Sequence, residues 1–104
     1  AAQAIAAAGN AITVASTYKL ISNTTAGTIV LTSTPTIADG QDGQLVFIMN
    51  VGTQAVSLQD QGTLAGSNLR LSAVAQVLGP RDSIHLMYSS SVGDWVELGV
   101  ANVI

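Results

Sequence analysis

The chain contains no cysteine. That excludes disulfides, thiolate nucleophiles and cysteine-based zinc sites, and it leaves the redox compartment open. Charge is nearly as scarce: charged residues make up 9% of the 104, against roughly 25% in an average soluble domain. Three basic residues, Lys19, Arg70 and Arg81, stand against six acidic ones, for a net charge of −3. Neutralising several phosphates takes several Lys or Arg, so nucleic acid is not expected as the main ligand, and neither is an anionic membrane surface. The longest strictly apolar run, Leu45–Met49, is far short of the roughly 20 residues a membrane helix needs. The Ala-rich start lacks the basic opening and sustained apolar core of a signal peptide. Aromatic residues number four: Tyr18, Phe47, Tyr88 and Trp95.

What is present is small and apolar or small and polar. Hydrophobic residues reach 48%, which opposes disorder. The length fits one domain at about 100–200 residues per domain. Residues 1–11 read as an N-terminal arm, since so short an Ala-rich piece is marginal as a helix in water. From residue 12 the text is one of short strands: ITVAS, YKLIS, TIVLTS, QLVFIMN, AVSLQ, SIHLMYS and WVELGV. Asn, Asp and Gly clusters separate them, with turns roughly every 8–12 residues. This predicts an all-β, antiparallel β-sandwich or jelly roll of about eight strands over residues 12–104. No 20-residue repeat is visible.

Strand alternation divides the candidate faces. Ile84, Leu86 and Tyr88 share one face; Ser83, His85 and Met87 share the other. In the wholly apolar run, Leu45, Phe47 and Met49 oppose Val46 and Ile48. The expected core is Ile12, Val14, Ile29, Leu31, Leu45, Phe47, Val56, Leu58, Leu71, Ile84, Leu86 and Tyr88. A strand apolar on both faces needs cover on both, and one small sandwich has little to spare. A neighbouring subunit supplies the cover, which makes Val46, Ile48, His85, Met87, Trp95 and Glu97 the expected subunit interface. If Glu97 is covered there, it needs a cationic partner, with Arg70 and Arg81 as candidates.

Catalytic constellations are thin. Asp82, Ser83 and His85 hold the residue types of a triad. On one strand, however, Ser83 and His85 stand about 6.5 Å apart and Asp82 points to the other side. Asp39-Gly40-Gln41-Asp42-Gly43 has an acidic character but lacks the alternating oxygen ligands and closing Glu of a calcium loop. It reads as two Asp-Gly turns. Phosphate-cradling GxxxxGK[ST] and GxGxxG are absent. Asn23-Thr24-Thr25 is a formal glycosylation sequon. No catalytic residue, metal or cofactor is expected.

Three stretches carry a resemblance: IADGQDGQLVFIMNVGT, VSLQDQGTLAGSNLRLS and LGPRDSIHLMYSSSVGDWVELG. Together they resemble a β-rich module of tailed-bacteriophage virion proteins, found in capsid decoration (cement) proteins and in head or tail fibres. The resemblance implies a jelly-roll-type fold, a homotrimer and no catalytic residue. It places the protein on the outer surface of the virion capsid, with the major capsid protein as partner. A chain that is nearly all one module fits a decoration protein better than a fibre with a long shaft. On that reading the arm, with Gln3, Ile5 and Asn10, grips the shell. The alternative is a fibre module that binds a host-surface receptor or glycan, with Trp95, Tyr88 and Tyr18 as platforms.

Overall fold

Two Gly turns fix where the longest strands meet. Gly43 takes a φ of 80°, open to glycine without a Cβ clash, and Gln44 N closes the turn onto Gln41 O at 2.9 Å. Directly after it, Gly43 N and Gln44 O bond the backbone of Tyr88 at 2.8 Å each, and the pairing of Leu45–Asn50 with Ser83–Ser89 follows. Gly93, at φ 82°, closes the hairpin from Ser83–Ser89 to Asp94–Ala101.

The computed structural model describes residues 1–103. It is all-β, with no helix among the described residues. In chain order the strands are β1 (Gln3–Ala4), β2 (Tyr18–Ser22), β3 (Ile29–Val30), β4 (Leu45–Asn50), β5 (Val56–Gln59), β6 (Leu69–Arg70), β7 (Ala75–Leu78), β8 (Ser83–Ser89) and β9 (Asp94–Ala101). A six-stranded sheet runs β1-β2-β4-β8-β9-β6, and a three-stranded sheet runs β3-β5-β7. The expected segments at YKLIS, QLVFIMN, AVSLQ, SIHLMYS and WVELGV form strands, whereas ITVAS contributes only a bridge from Ile12 to Ile37.

The expectation of antiparallel order is corrected. β4–β8, β8–β9 and β5–β7 are antiparallel, but β1–β2, β2–β4, β3–β5 and β6–β9 are parallel. Parallel neighbours need a crossover rather than a hairpin. Here the chain supplies it by coiling: β2 leads through β3 to the bridge at Ile37, then returns as β4 beside β2. It repeats the path through β5, which lands beside β3.

The coil carries an internal repeat that the composition conceals. Ile21, Asn23, Ile29 and Leu31 recur 27 positions later as Ile48, Asn50, Val56 and Leu58, and all eight are buried or packed on the core. The two asparagines do the same work. Asn23 Oδ1 accepts from Thr25 N (2.9 Å), and its Nδ2 donates to Gly27 O (2.9 Å) and Ala55 O (2.7 Å). Asn50 Oδ1 accepts from Gly52 N (3.0 Å), and its Nδ2 donates to Gln54 O and Leu78 O (2.8 Å each). Each clamps the corner two and four residues on and ties it to the next turn of the coil. These bonds satisfy amides that would otherwise be orphaned in the interior.

The core gathers Ile5, Ile12, Ile21, Leu31, Ile37, Val46, Ile48, Val56, Leu58, Leu69, Leu78, Ile84, Leu86, Tyr88 and Trp95, with Val14, Ile29, Leu71 and Val100 packed against it. Most of the expected core is there, but β4 is reversed. Val46 and Ile48 are fully buried, while Leu45 and Phe47 are 38% and 45% exposed. Both alternations of that strand are apolar, so its own period could not choose a side. The register chooses it: Val46 pairs with Leu86 and Ile48 with Ile84, the inward residues of β8. A shift of one residue would turn every side chain over.

Residues 1–11 are not a free arm. Ile5 is 1% exposed within the core, β1 lies parallel to β2, and Ile5 N donates to Ser22 O at 2.9 Å. An isoleucine with a core pocket open to it has no reason to stay in solvent: burying it contributes about 1.5–3 kcal/mol.

Candidate interaction surface

The surface least explained by the monomer is the outer face of the large sheet. Register puts Tyr18 beside Phe47 and Leu20 beside Met49 on the β2–β4 side. On the β4–β8 side Leu45 meets Met87 and Phe47 meets His85; beyond, Met87 meets Val96. The Phe47 and His85 rings lie 4.7 Å apart at 57°. A bulge between His85 and Leu86 leaves Leu98 as the extra residue of β9, 56% exposed. Tyr18 is 59% exposed. From β2 to β9 these paired residues include no Asp, Glu, Lys or Arg, but the row of Val96 ends on Arg70 of the edge strand β6, which pairs with Asp94. Lys19 alternates away, in the row of Ile48, and its Nζ donates to the Thr13 hydroxyl at 3.2 Å. An open depression of about 290 Å³ borders the face at Ala1, Ala15, Ser16, Tyr18, Lys19 and Leu20.

Of the interface residues expected from sequence, His85 and Met87 are on this face, half-buried by their neighbours. Val46, Ile48 and Trp95 are corrected to the core, each fully buried within the single chain. Trp95 packs edge-on against Tyr88, centroids 5.3 Å apart, and its indole N–H donates to Ala38 O at 3.1 Å. Gly40 lies against that indole: a Cβ there would sit 2.8 Å from the ring. Of the three rings considered as glycan platforms, only Tyr18 remains on the surface. The sequence reading did not single out Leu98, took Tyr18 only as a glycan platform, and put Leu45 and Phe47 in the core instead of on this face. The signal lay in β8, whose clear alternation fixes the sides of β4 once the two are paired.

The expected gripping residues close the first turn of the coil instead. Gln3 Oε1 accepts from Thr13 N (3.1 Å) and its Nε2 donates to Ala11 O (2.7 Å). Asn10 Oδ1 accepts from Ala6 N (2.9 Å) and Ala7 N (3.2 Å). Side chains thus take up backbone groups that a terminal turn would leave bare.

The acids are all engaged locally. Asp82 accepts from Gly79 N and Val103 N, 2.8 Å each, one per oxygen. Asp60 holds Leu71 N and Gly62 N, also at 2.8 Å. Asp39 accepts from Asn68 Nδ2 at 3.1 Å. Asp42 accepts from Ser90 N at 2.9 Å, and that bond holds its carboxyl below the usual value. Asp94 pairs with Arg70 Nε at 2.7 Å. Glu97 has no cationic partner among the described residues. It takes Ser72 N (3.1 Å), Ser72 Oγ (2.8 Å) and Gln76 Nε2 (2.9 Å), tying β9 to the strand of the small sheet that Gln76 belongs to. Burial first, then the Asp39 and Asp94 carboxylates, push the Tyr88 phenol upward. Asp82 is therefore committed to backbone, and His85 to Phe47, rather than to each other. The sequon is also accounted for: Asn23 is fully buried with its amide engaged.

Compared with protein-family profiles, curated proteins and solved structures, the chain gives no match.

Proposed function

We propose that this chain is a structural virion protein: a homotrimeric decoration protein that binds the major capsid protein on the outside of a tailed-phage capsid and stabilises the shell. We read the two sheets as the layers of a β-sandwich. The observation that carries the functional reading is the use made of polar chemistry. All six carboxylates accept hydrogen bonds from groups of their own chain, five of them from loop amides or from a guanidinium, so acid groups brace corners. A block braced in this way suits a mechanical part. The virion setting and the trimer come from the resemblance of residues 37–98. With Gln3, Ile5 and Asn10 engaged inside the fold, the grip on the shell is assigned to the body of the module rather than to its first residues.

The test is co-sedimentation of the purified protein with emptied, expanded tailed-phage shells, beside a glycan array. Saturable binding to shells, with raised resistance of the shells to heat, supports the reading. Binding to glycans and none to shells overturns it in favour of a fibre module.

A further inference from the structure

We propose that copies of this chain meet through the outer face of the six-stranded sheet, centred on Phe47 and His85 and edged by Tyr18, Leu45, Met87 and Leu98. The proposal rests on the self-association in the reading above and names its surface. It goes against the sequence expectation, which assigned Val46 and Ile48 to that role.

Three observations favour a second copy as occupant. First, the face is apolar across four adjacent strands, β2, β4, β8 and β9. Of the exposed large side chains elsewhere, Val51, Val92 and Val103 lie in separate loops and ends, and Val30 and Val77 stand on the small sheet with Ser57 between them. Contiguous patches, not scattered residues, mark interaction surfaces. Second, the rows centred on Phe47 and His85 have no formal charge, and the two charges at the β9–β6 edge of the face, Arg70 and Asp94, pair with each other at 2.7 Å. Partners of another kind are commonly selected by complementary potential; two identical faces without net charge meet without strong repulsion. Third, the size fits. At about 3.3 Å per residue and about 4.8 Å between strands, the four strands of this face cover roughly 400 Å². A standard interface takes about 800 Å² from each partner. The face is thus large enough to be the centre of such an interface, and small enough that assembly should depend on protein concentration. In a closed ring of three, one half of the face contacts the other half on the next copy, a heterologous arrangement that rotation closes.

The experiment is sedimentation equilibrium of the full chain across micromolar concentrations, for wild type, Phe47→Glu, Leu98→Glu and the control Val77→Glu. Val77 is 51% exposed on the small sheet. All three substituted sites are outside the core, so circular dichroism should report the same β signature for each variant as for wild type. Expected are an oligomeric wild type and Val77→Glu, and a dissociation constant raised at least about 100-fold in Phe47→Glu and Leu98→Glu, since a buried unpaired charge is strongly unfavourable. High salt should leave wild-type assembly intact. An oligomer that survives both face substitutions but is lost in Val77→Glu overturns this surface while leaving self-association standing. A wild type monomeric throughout overturns both. If the face variants dissociate as expected but wild type ignores capsids, the surface stands and the capsid reading falls.

Discussion

Replacing Asn50 with alanine tests the logic of the coil at one point. Its side chain is fully buried and serves three backbone groups: Gly52 N, Gln54 O and Leu78 O. Alanine removes all three partners at once. Leaving a buried donor or acceptor without a partner costs about 1–3 kcal/mol. Gln54 O lies nearer the surface, where water can replace part of the loss. The expected destabilisation is therefore about 3–6 kcal/mol, a large part of the roughly 5–15 kcal/mol that holds a domain folded. Asn50→Asp keeps the bond from Gly52 N but turns an oxygen toward both carbonyls, so it should be at least as severe at neutral pH. Asn23→Ala should cost less, because the Thr25 hydroxyl already lies 3.2 Å from Gly27 O and can keep that carbonyl satisfied. Asn102→Ala, at an exposed position, is the control. Urea unfolding at one fixed protein concentration, with linear extrapolation, gives the differences. A loss below about 1 kcal/mol in Asn50→Ala, or one equal to that of Asn102→Ala, would refute the clamp.

Ile48→Ala should cost about 2–5 kcal/mol in urea unfolding, as for a buried aliphatic truncation. Phe47→Ala next door should cost no more than about 1 kcal/mol in the dissociated chain, because nearly half of Phe47 is exposed. Equal losses would put the core on the wrong side of β4. Gly52→Ala should destabilise the fold by more than the 1 kcal/mol or so of an ordinary surface change, since its Cβ would land on the backbone of Asn23; an unchanged urea midpoint would count against that close approach. Asp42 titrates below its usual value in the folded chain, so its bond to Ser90 N adds stability above the unfolded value of 3.8 and loses it as pH falls through the folded one. Asp42→Asn should flatten that part of the acid limb, and a carboxyl NMR titration at or above 3.8 would contradict the direction.

Composition and local pattern were enough to establish an all-β chain, because β-branched runs broken by turns such as Asp39-Gly40, Asp42-Gly43 and Asn50-Val51-Gly52 leave no helical period to compete. They also placed Ile84, Leu86 and Tyr88 inward, where polar residues alternate with apolar ones and the period has only one solution. Three things needed the tertiary structure. The side of β4 was open because Leu45–Met49 is apolar in both alternations, and only pairing with β8 turned Val46 and Ile48 inward. The parallel order was open because the partners of parallel strands lie 18 to 29 positions apart, beyond the reach of any turn signal; the recurrence of Ile, Asn and Leu at a 27-residue interval was in the sequence, but spacing alone does not say that the copies stack. The place of residues 1–11 was open because Ile5 is one isoleucine among alanines, without a period, and its burial depends on a pocket built by strands that come later in the chain. Sequence thus decides what a segment can be, while the choice of which apolar face is inside belongs to the neighbours, since burial is a property of the assembled surface and not of the strand.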